Sequence, residues 1–220
     1  MNRDFKLLVF DWDGTLMDSE ARIVACIRAA SADLGLAILP DSTIRNIIGL
    51  GLREAIEALY PGSSEDIHRG MTERYRHHFL TADHTPTQLF AGATATLKYL
   101  EEQGYLLAVA TGKGRNGLNR VLEETGLRSM FHATRCADET FSKPHPLMLT
   151  EIMEELGTEP EETLMIGDTE YDMLMARNAR TPALAVSYGV HEIERLLQHQ
   201  PLGHIDAITD LQPWLDRGVA

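Results

Sequence analysis

Asp11 and Asp13 stand two residues apart in Asp11-Trp12-Asp13-Gly14-Thr15, directly after a short apolar run. Carboxylates this near repel one another, so the segment needs a cation or a shared proton. Strand alternation carried through the segment puts both acids on one side and turns Trp12 into packing. Gly14 then permits a tight turn and a close backbone approach to a ligand. Further on, Ala110-Thr111-Gly112-Lys113 closes another apolar run. A hydroxyl and the following N–H at such a strand-to-helix junction can hold phosphate oxygens. Lys143 lies in Phe141-Ser142-Lys143-Pro144-His145-Pro146, where the prolines stiffen the turn and fix the direction of the ammonium. Asp168 and Asp172, in Gly167-Asp168-Thr169-Glu170-Tyr171-Asp172, can reach one point from a strand end and the first turn of a helix. Taken singly, these are an acidic turn, a surface lysine and a capped helix. Taken together, they point to a Mg2+ site of hard oxygen ligands that serves an anionic substrate.

Such residues need elements to position them. Short β-rich runs at 6–10, 106–110, 132–136, 163–166 and 183–186, with a weaker one near 205–208, alternate with amphipathic stretches. That alternation predicts βαβ units and a parallel sheet, an α/β fold with helices on its faces. Three of the intervening helices run into a glycine, at Gly104, Gly126 and Gly157, suited to a left-handed helix end. One segment breaks the rhythm. Between Asp18 and Thr87 only helical periodicity appears, with Ile23, Ile27, Ala30 and Leu34 on one face and Ile67, Met71, Tyr75 and Phe79 on another. The expected organisation is a core of residues 1–17 and 88–220, interrupted by a helical insert of 18–87 over the carboxyl ends of the strands. Open α/β sheets bind their ligands there.

Composition narrows the partners. The chain of 220 residues carries 33 acidic and 20 basic side chains, a net charge of −13. That sign argues against nucleic-acid binding and against a polybasic membrane contact. Cys26 and Cys136 cannot build a disulfide framework. The apolar run 7–10 is too short for a signal peptide, so a cytoplasmic location is expected. Gly112, Gly114 and Gly117 formally match a dinucleotide-binding spacing, with Asp138 21 residues further on. The match sits on the second strand, is occupied by Lys113 and Arg115, and leaves the acidic pairs without a role. His77, His78 and His84 lack metal-ligand spacing and read as surface or packing residues.

The acidic opening, Thr111, Lys143 and Gly167-Asp168 with Asp172 resemble, in order and spacing, the four signature motifs of the haloacid dehalogenase-like hydrolase superfamily. The resemblance runs over nearly the whole chain. It implies a Rossmann-like core, and it makes the insert similar to a C1-type cap. Thr111-Gly112-Lys113 and Lys143-Pro144 with Pro146 look most like the phosphoglycolate phosphatase branch. Carried over by position, the resemblance makes Asp11 the nucleophile and Asp13 the general acid and base. Gly14, Thr15, Thr111, Gly112 and Lys143 would hold the phosphoryl group. Mg2+ would rest on Asp11, the Asp13 main-chain carbonyl and Asp168, with Asp172 orienting the outer shell. In the insert, Arg53, beside Gly49 and Gly51, is a candidate to pair with a substrate carboxylate.

The resemblance also separates chemistries within the family. Dehalogenase relatives lack the second acid of the opening motif. Phosphonatase relatives use a cap lysine, and no Lys occurs between Leu7 and Leu97. Phosphomutase relatives carry a His where this chain has Ile23. Hydrolysis of a small phosphorylated metabolite resembling 2-phosphoglycolate is the leading expectation. Sugar phosphates, nucleotides and pyrophosphate are alternative substrates, and a phosphomutase, a receiver-like signalling module or a nicotinamide enzyme are alternative classes.

Overall fold

Leu7–Phe10 forms strand β1 with all four side chains buried, as a strand covered on both faces requires. The computed structural model describes residues 5–217. On one side of β1 lies β4 (Leu106–Thr111), followed by β5 (Ala133–Cys136); on the other lie β6 (Thr163–Gly167), β7 (Ala183–Val186) and β8 (His204–Ile205). The order is β5-β4-β1-β6-β7-β8, and every neighbouring pair is parallel. The five expected central strands are all present. The weak sixth sits at 204–205, because Ile208–Asp210 winds into a helical turn instead.

The two faces of β1 feed two cores. Leu8 and Phe10 pack with Val109, Leu164, Leu97 and Leu211, beneath α5 (Ala93–Glu102), α6 (Arg115–Thr125) and α10 (Leu211–Asp216). Leu7 and Val9 pack with Ala108, Met165, Met148 and Met173, beneath α7 (Leu147–Leu156), α8 (Glu170–Asn178) and α9 (Ile193–Leu197). This is a parallel sheet with helices on both faces. Gly126 and Gly157 end α6 and α7 at φ +69° and +64°, where a side chain would be strained.

Between β1 and β4 the chain leaves the sheet. Here β2 (Met17–Asp18) pairs antiparallel with β3 (Gln88–Leu89), Met17 facing Leu89 and Asp18 facing Gln88. The segment was expected to begin as helix at Asp18, but that residue stands on this two-rung ribbon. Two residues are too short to display a period of two, so no sequence pattern announced it. Beyond the ribbon come α1 (Glu20–Asp33), α2 (Asp41–Arg45), α3 (Leu52–Leu59) and α4 (Glu65–His77), which continues into a wide turn over His78–Ala82. Ile23 and Ile27 of α1 pack with Ile44, Ile47, Leu59 and Phe79, while Ala30, Ile56 and Met71 form a second small cluster. Among the described residues, no helix is long and apolar enough to cross a membrane.

Candidate active site

β1 stops at Phe10, and the chain turns at the carboxyl end of the sheet with Asp11 N–H donating to the Ile166 carbonyl on β6. This places Asp11 beside Asp168, which follows β6 directly. Carboxylate oxygens of Asp11, Asp168 and Asp172 lie within 4.8 Å of one another, and all three residues are buried. Lys143 enters from the turn before α7 and is itself buried. Its Nζ stands 2.8 Å from Asp11 Oδ1 and 2.6 Å from Asp172 Oδ1. The surface-lysine reading of Lys143 is therefore excluded.

Each acid is held by a separate part of the chain. Asp11 Oδ1 accepts from Trp12 N–H, and Trp12 is buried against Phe131. Asp168 accepts from the Thr15 hydroxyl at 2.8 Å and from Val190 N–H at 2.9 Å. Asp172 Oδ2 accepts from the hydroxyl and N–H of Thr169, closing the first turn of α8. The helix cap is thus Thr169, and Asp168 is released for the cluster. Gly14 has φ +84°, and a Cβ there would lie 2.2 Å from Asp168 Oδ2, so the turn admits the acid only because Gly14 has no side chain.

The electrostatics are those of a cation site. Burial raises the Asp11 carboxyl from its ordinary range to about 7; Lys143 opposes the rise and Asp172 adds to it. Burial, then the charges of Asp11 and Asp172, push Asp168 well up. For Lys143, burial favours the neutral amine, but Asp11 and Asp172 outweigh it and keep the ammonium charged. Three ionised acids against one ammonium leave two negative charges. A divalent cation would cancel them, and the donors are oxygens alone, as Mg2+ prefers. Asp11 Oδ2 is buried without a hydrogen-bond partner, which fits the same group.

The strand has ended before Asp13, so alternation no longer governs it, and its carboxylate stands outside the three-acid cluster. Oδ1 accepts from the Ser19 hydroxyl at 2.5 Å, and Lys113 Nζ donates to Oδ1 and Oδ2 at 3.0 and 2.9 Å. Lys113 Nζ also lies 4.4 Å above the ring of Phe79, from the turn after α4. The backbone N–H of Lys113 reaches Thr111 Oγ1 at 3.2 Å, so the phosphate-loop candidate and the lysine form one turn.

The helical insert rests on the sheet at this point. Gly51 N–H donates to Ser142 Oγ at 2.7 Å, Tyr171 donates to the Asn46 carbonyl at 2.8 Å, and Arg195 donates to Asn46 Oδ1 at 2.6 Å. Arg120 donates to the Leu80 carbonyl. Between the two layers lies a cavity of about 410 Å3 that borders Asp13, Gly112 and Lys113.

The haloacid dehalogenase-like hydrolase family model matches residues 8–186, from β1 to β7. The chain belongs to the haloacid dehalogenase-like hydrolases. It is 34% identical over 209 residues to "Probable phosphatase IndB" of Dickeya dadantii, covering 93% of this chain and 91% of that protein. It is 31% identical over 220 residues to phosphoglycolate phosphatase 1 of Pseudomonas aeruginosa, covering 96% and 80%. In fold it is similar to a hydrolase from Pseudomonas syringae, with a TM-score of 0.89 at 23% identity over 98% and 100% of the two chains.

Within this hydrolase, Asp11, Lys143, Asp168 and Asp172 converge, with Thr111, Gly112 and Asp13 beside them. Two of the expected residues lie differently. Thr15 spends its hydroxyl on Asp168. Arg53 borders the cavity, but its guanidinium turns outward to Glu65 at 2.5 Å, where both side chains are largely exposed. The Gly-rich spacing has a structural use instead: Asp138 accepts from Arg115 N–H at the start of α6, and Gly112 lies under the Gly49 and Leu50 carbonyls. Lys113 and Ser19 were missed as site residues. Lys113 carried a signal, a cation one residue past the strand-end glycine; Ser19 carried none.

Proposed function

We propose that this protein is a Mg2+-dependent phosphatase that cleaves the monoester of a small phosphorylated metabolite through an aspartyl-phosphate on Asp11. The observation that carries the reading is Lys143 bridging Asp11 and Asp172, with Asp168 in the same buried cluster. The phosphatase names of its relatives support the same activity, and the relatives named phosphoglycolate phosphatase make short phosphorylated acids the first substrates to try.

Asp11 attacks phosphorus, forming an O–P bond as the bond to the leaving oxygen breaks. Asp13 gives its proton to that oxygen, then takes one from the water that attacks phosphorus and frees Asp11 and inorganic phosphate. Thr111, the Gly112 N–H and Lys143 hold the phosphoryl oxygens, since phosphoryl transfer depends mostly on positioning and charge neutralisation. Asp11, Asp168 and the Asp13 carbonyl would hold Mg2+, with Asp172 behind them. Bound there, the cation supplies charge neutralisation to the phosphoryl group. Residues 18–87 act as a cap that excludes bulk water from the reaction.

Phosphate release from acetyl phosphate and a panel of phosphorylated metabolites, with Mg2+ and then with excess chelator, tests the reading. Many turnovers per chain that stop with chelator are expected. A single stoichiometric labelling of the protein would favour a receiver-like role instead.

A further inference from the structure

We propose that the cavity beside Asp13 receives a compact apolar alcohol, aromatic or branched aliphatic, as the leaving group of the phosphate ester, in preference to a short carboxylic acid. The inference rests on the phosphatase reading and sharpens it to a substrate class.

The cavity is placed for a leaving group. It borders Asp13, the proposed proton donor to the departing oxygen, and does not border Asp11, the proposed nucleophile. It is also shaped for more than two carbons. Its volume of about 410 Å3 falls in the range of roughly 300–1,000 Å3 typical of sites that bury a sizeable ligand. A two-carbon acid would leave much of it to water held against apolar walls.

Thr72, Asn116 and Thr140 add polar edges, but much of the wall is aliphatic and aromatic. Ile23 and Ile27 come from α1, Ile48 and Leu50 from the loop before α3, and Tyr75 and Phe79 from α4 and its final turn. Tyr75 and Phe79 stack with ring centroids 5.7 Å apart and add aromatic surface to the lining. These residues sit on the helical periodicities that read as simple core from the sequence. Ile23, Ile27 and Phe79 do both: they bury surface within the insert and turn an edge to the cavity.

A carboxylate finds poor reception in the same space. Of the cations that border the cavity among the described residues, Lys113 is held by Asp13 and Arg53 by Glu65. The third, Arg76, stands exposed to water, where pairing contributes little. Glu54 and Asp138 border the cavity as well and would repel an added anion. Apolar burial is what the lining rewards.

The test compares kcat/KM of the full chain with saturating Mg2+ on ethyl phosphate, 2-phosphoglycolate and 2-phenylethyl phosphate. All three are esters of unactivated primary alcohols, so the body of the alcohol dominates the comparison. Since one methylene in an apolar pocket changes kcat/KM by about 10–200-fold, 2-phenylethyl phosphate should exceed both others by at least about 10-fold. Leu50→Asp, on a half-buried loop position, and Phe79→Ala should each collapse the ratio of 2-phenylethyl to ethyl phosphate toward one. A 2-phosphoglycolate rate equal to or above that of 2-phenylethyl phosphate, lost in Arg53→Ala, would overturn the inference and assign the cavity to a carboxylate. Acetyl phosphate separates the two levels. If it is turned over while the ester preference is absent, only this inference falls. If neither it nor any ester is hydrolysed, the phosphatase reading falls and takes the inference with it.

Discussion

Lys113 Nζ lies 2.9 Å from Asp13 Oδ2 although one hundred residues separate them. Both side chains are almost entirely withdrawn from water, at 6% and 10% exposure, so the pair is weakly screened. Ser19 completes the hold on Asp13, and Phe79 covers the ammonium. One residue from the loop after β4 and two from the insert thus fix the acid that is proposed to move protons.

Lys113→Met should therefore lower kcat by about 10–100-fold while the metal requirement stays the same, because a misplaced acid loses reach to the leaving oxygen. Steady-state kinetics with a Mg2+ titration for both proteins would measure it. An unchanged kcat would reduce Lys113 to a packing residue.

Asp11→Asn should reduce turnover by more than about a thousandfold, since the amide cannot act as the anionic nucleophile. The metal-free fold should melt at the same temperature or higher, because one of three crowded buried acids has lost its charge. Turnover near that of the unmodified protein would remove Asp11 from the chemistry. A large drop in melting temperature would show that its charge serves the fold.

Mg2+ should raise the melting temperature more at pH 8 than at pH 5.5. Without the cation, Asp11 is raised to about 7 in the folded state from an ordinary value of 3.8. The folded protein then binds more protons than the unfolded chain between those values, and this group's contribution to stability is lost as pH rises through 7. Mg2+ must displace that proton at pH 5.5 but not at pH 8. Thermal melts with Mg2+ and with chelator at both pH values measure the difference. Equal shifts would contradict the assignment, and Asp168→Ala should abolish the shift at either pH.

Gly112→Ala should push the insert off the sheet. A Cβ at Gly112 would stand 2.4 Å from the Leu50 carbonyl oxygen and 2.5 Å from that of Gly49, and backbone cannot yield as a flexible side chain would. kcat/KM should fall by roughly 100-fold, and proteases should cut the 46–52 loop faster than in the unmodified protein. Wild-type rates and protection would show that the loop adapts without cost to the site.

Much of this was legible in the residues alone. Strands such as Leu7–Phe10, Leu106–Thr111 and Thr163–Gly167 are buried on both faces, so they read as unbroken apolar runs, and their ends mark where Asp11, Thr111 and Asp168 must stand. Asp172, one helical turn beyond Asp168, followed from helix geometry. Lys143 was legible as a directed cation from its flanking prolines, though not as a buried one. Local rules sufficed wherever a strand end or a first helical turn did the positioning.

Other features required the chain to be folded. The direction of Asp13 could not be read from alternation, because the strand had ended and its partners, Ser19 and Lys113, lie on separate elements. The outward turn of Arg53 depends on Glu65, which only the packing of α3 and α4 brings near. Ile27 and Phe79 follow one helical period whether they face a dry core or a ligand cavity, and the space between insert and sheet alone distinguishes the two. What the residues determined without a structure was the parallel sheet, the place of the insert and the identity of the acids at the strand ends, since these rest on periods and spacings within one stretch of chain. What the tertiary structure decided was which charges neutralise one another and what kind of surface faces Asp13, because both depend on distances between segments that no single stretch encodes.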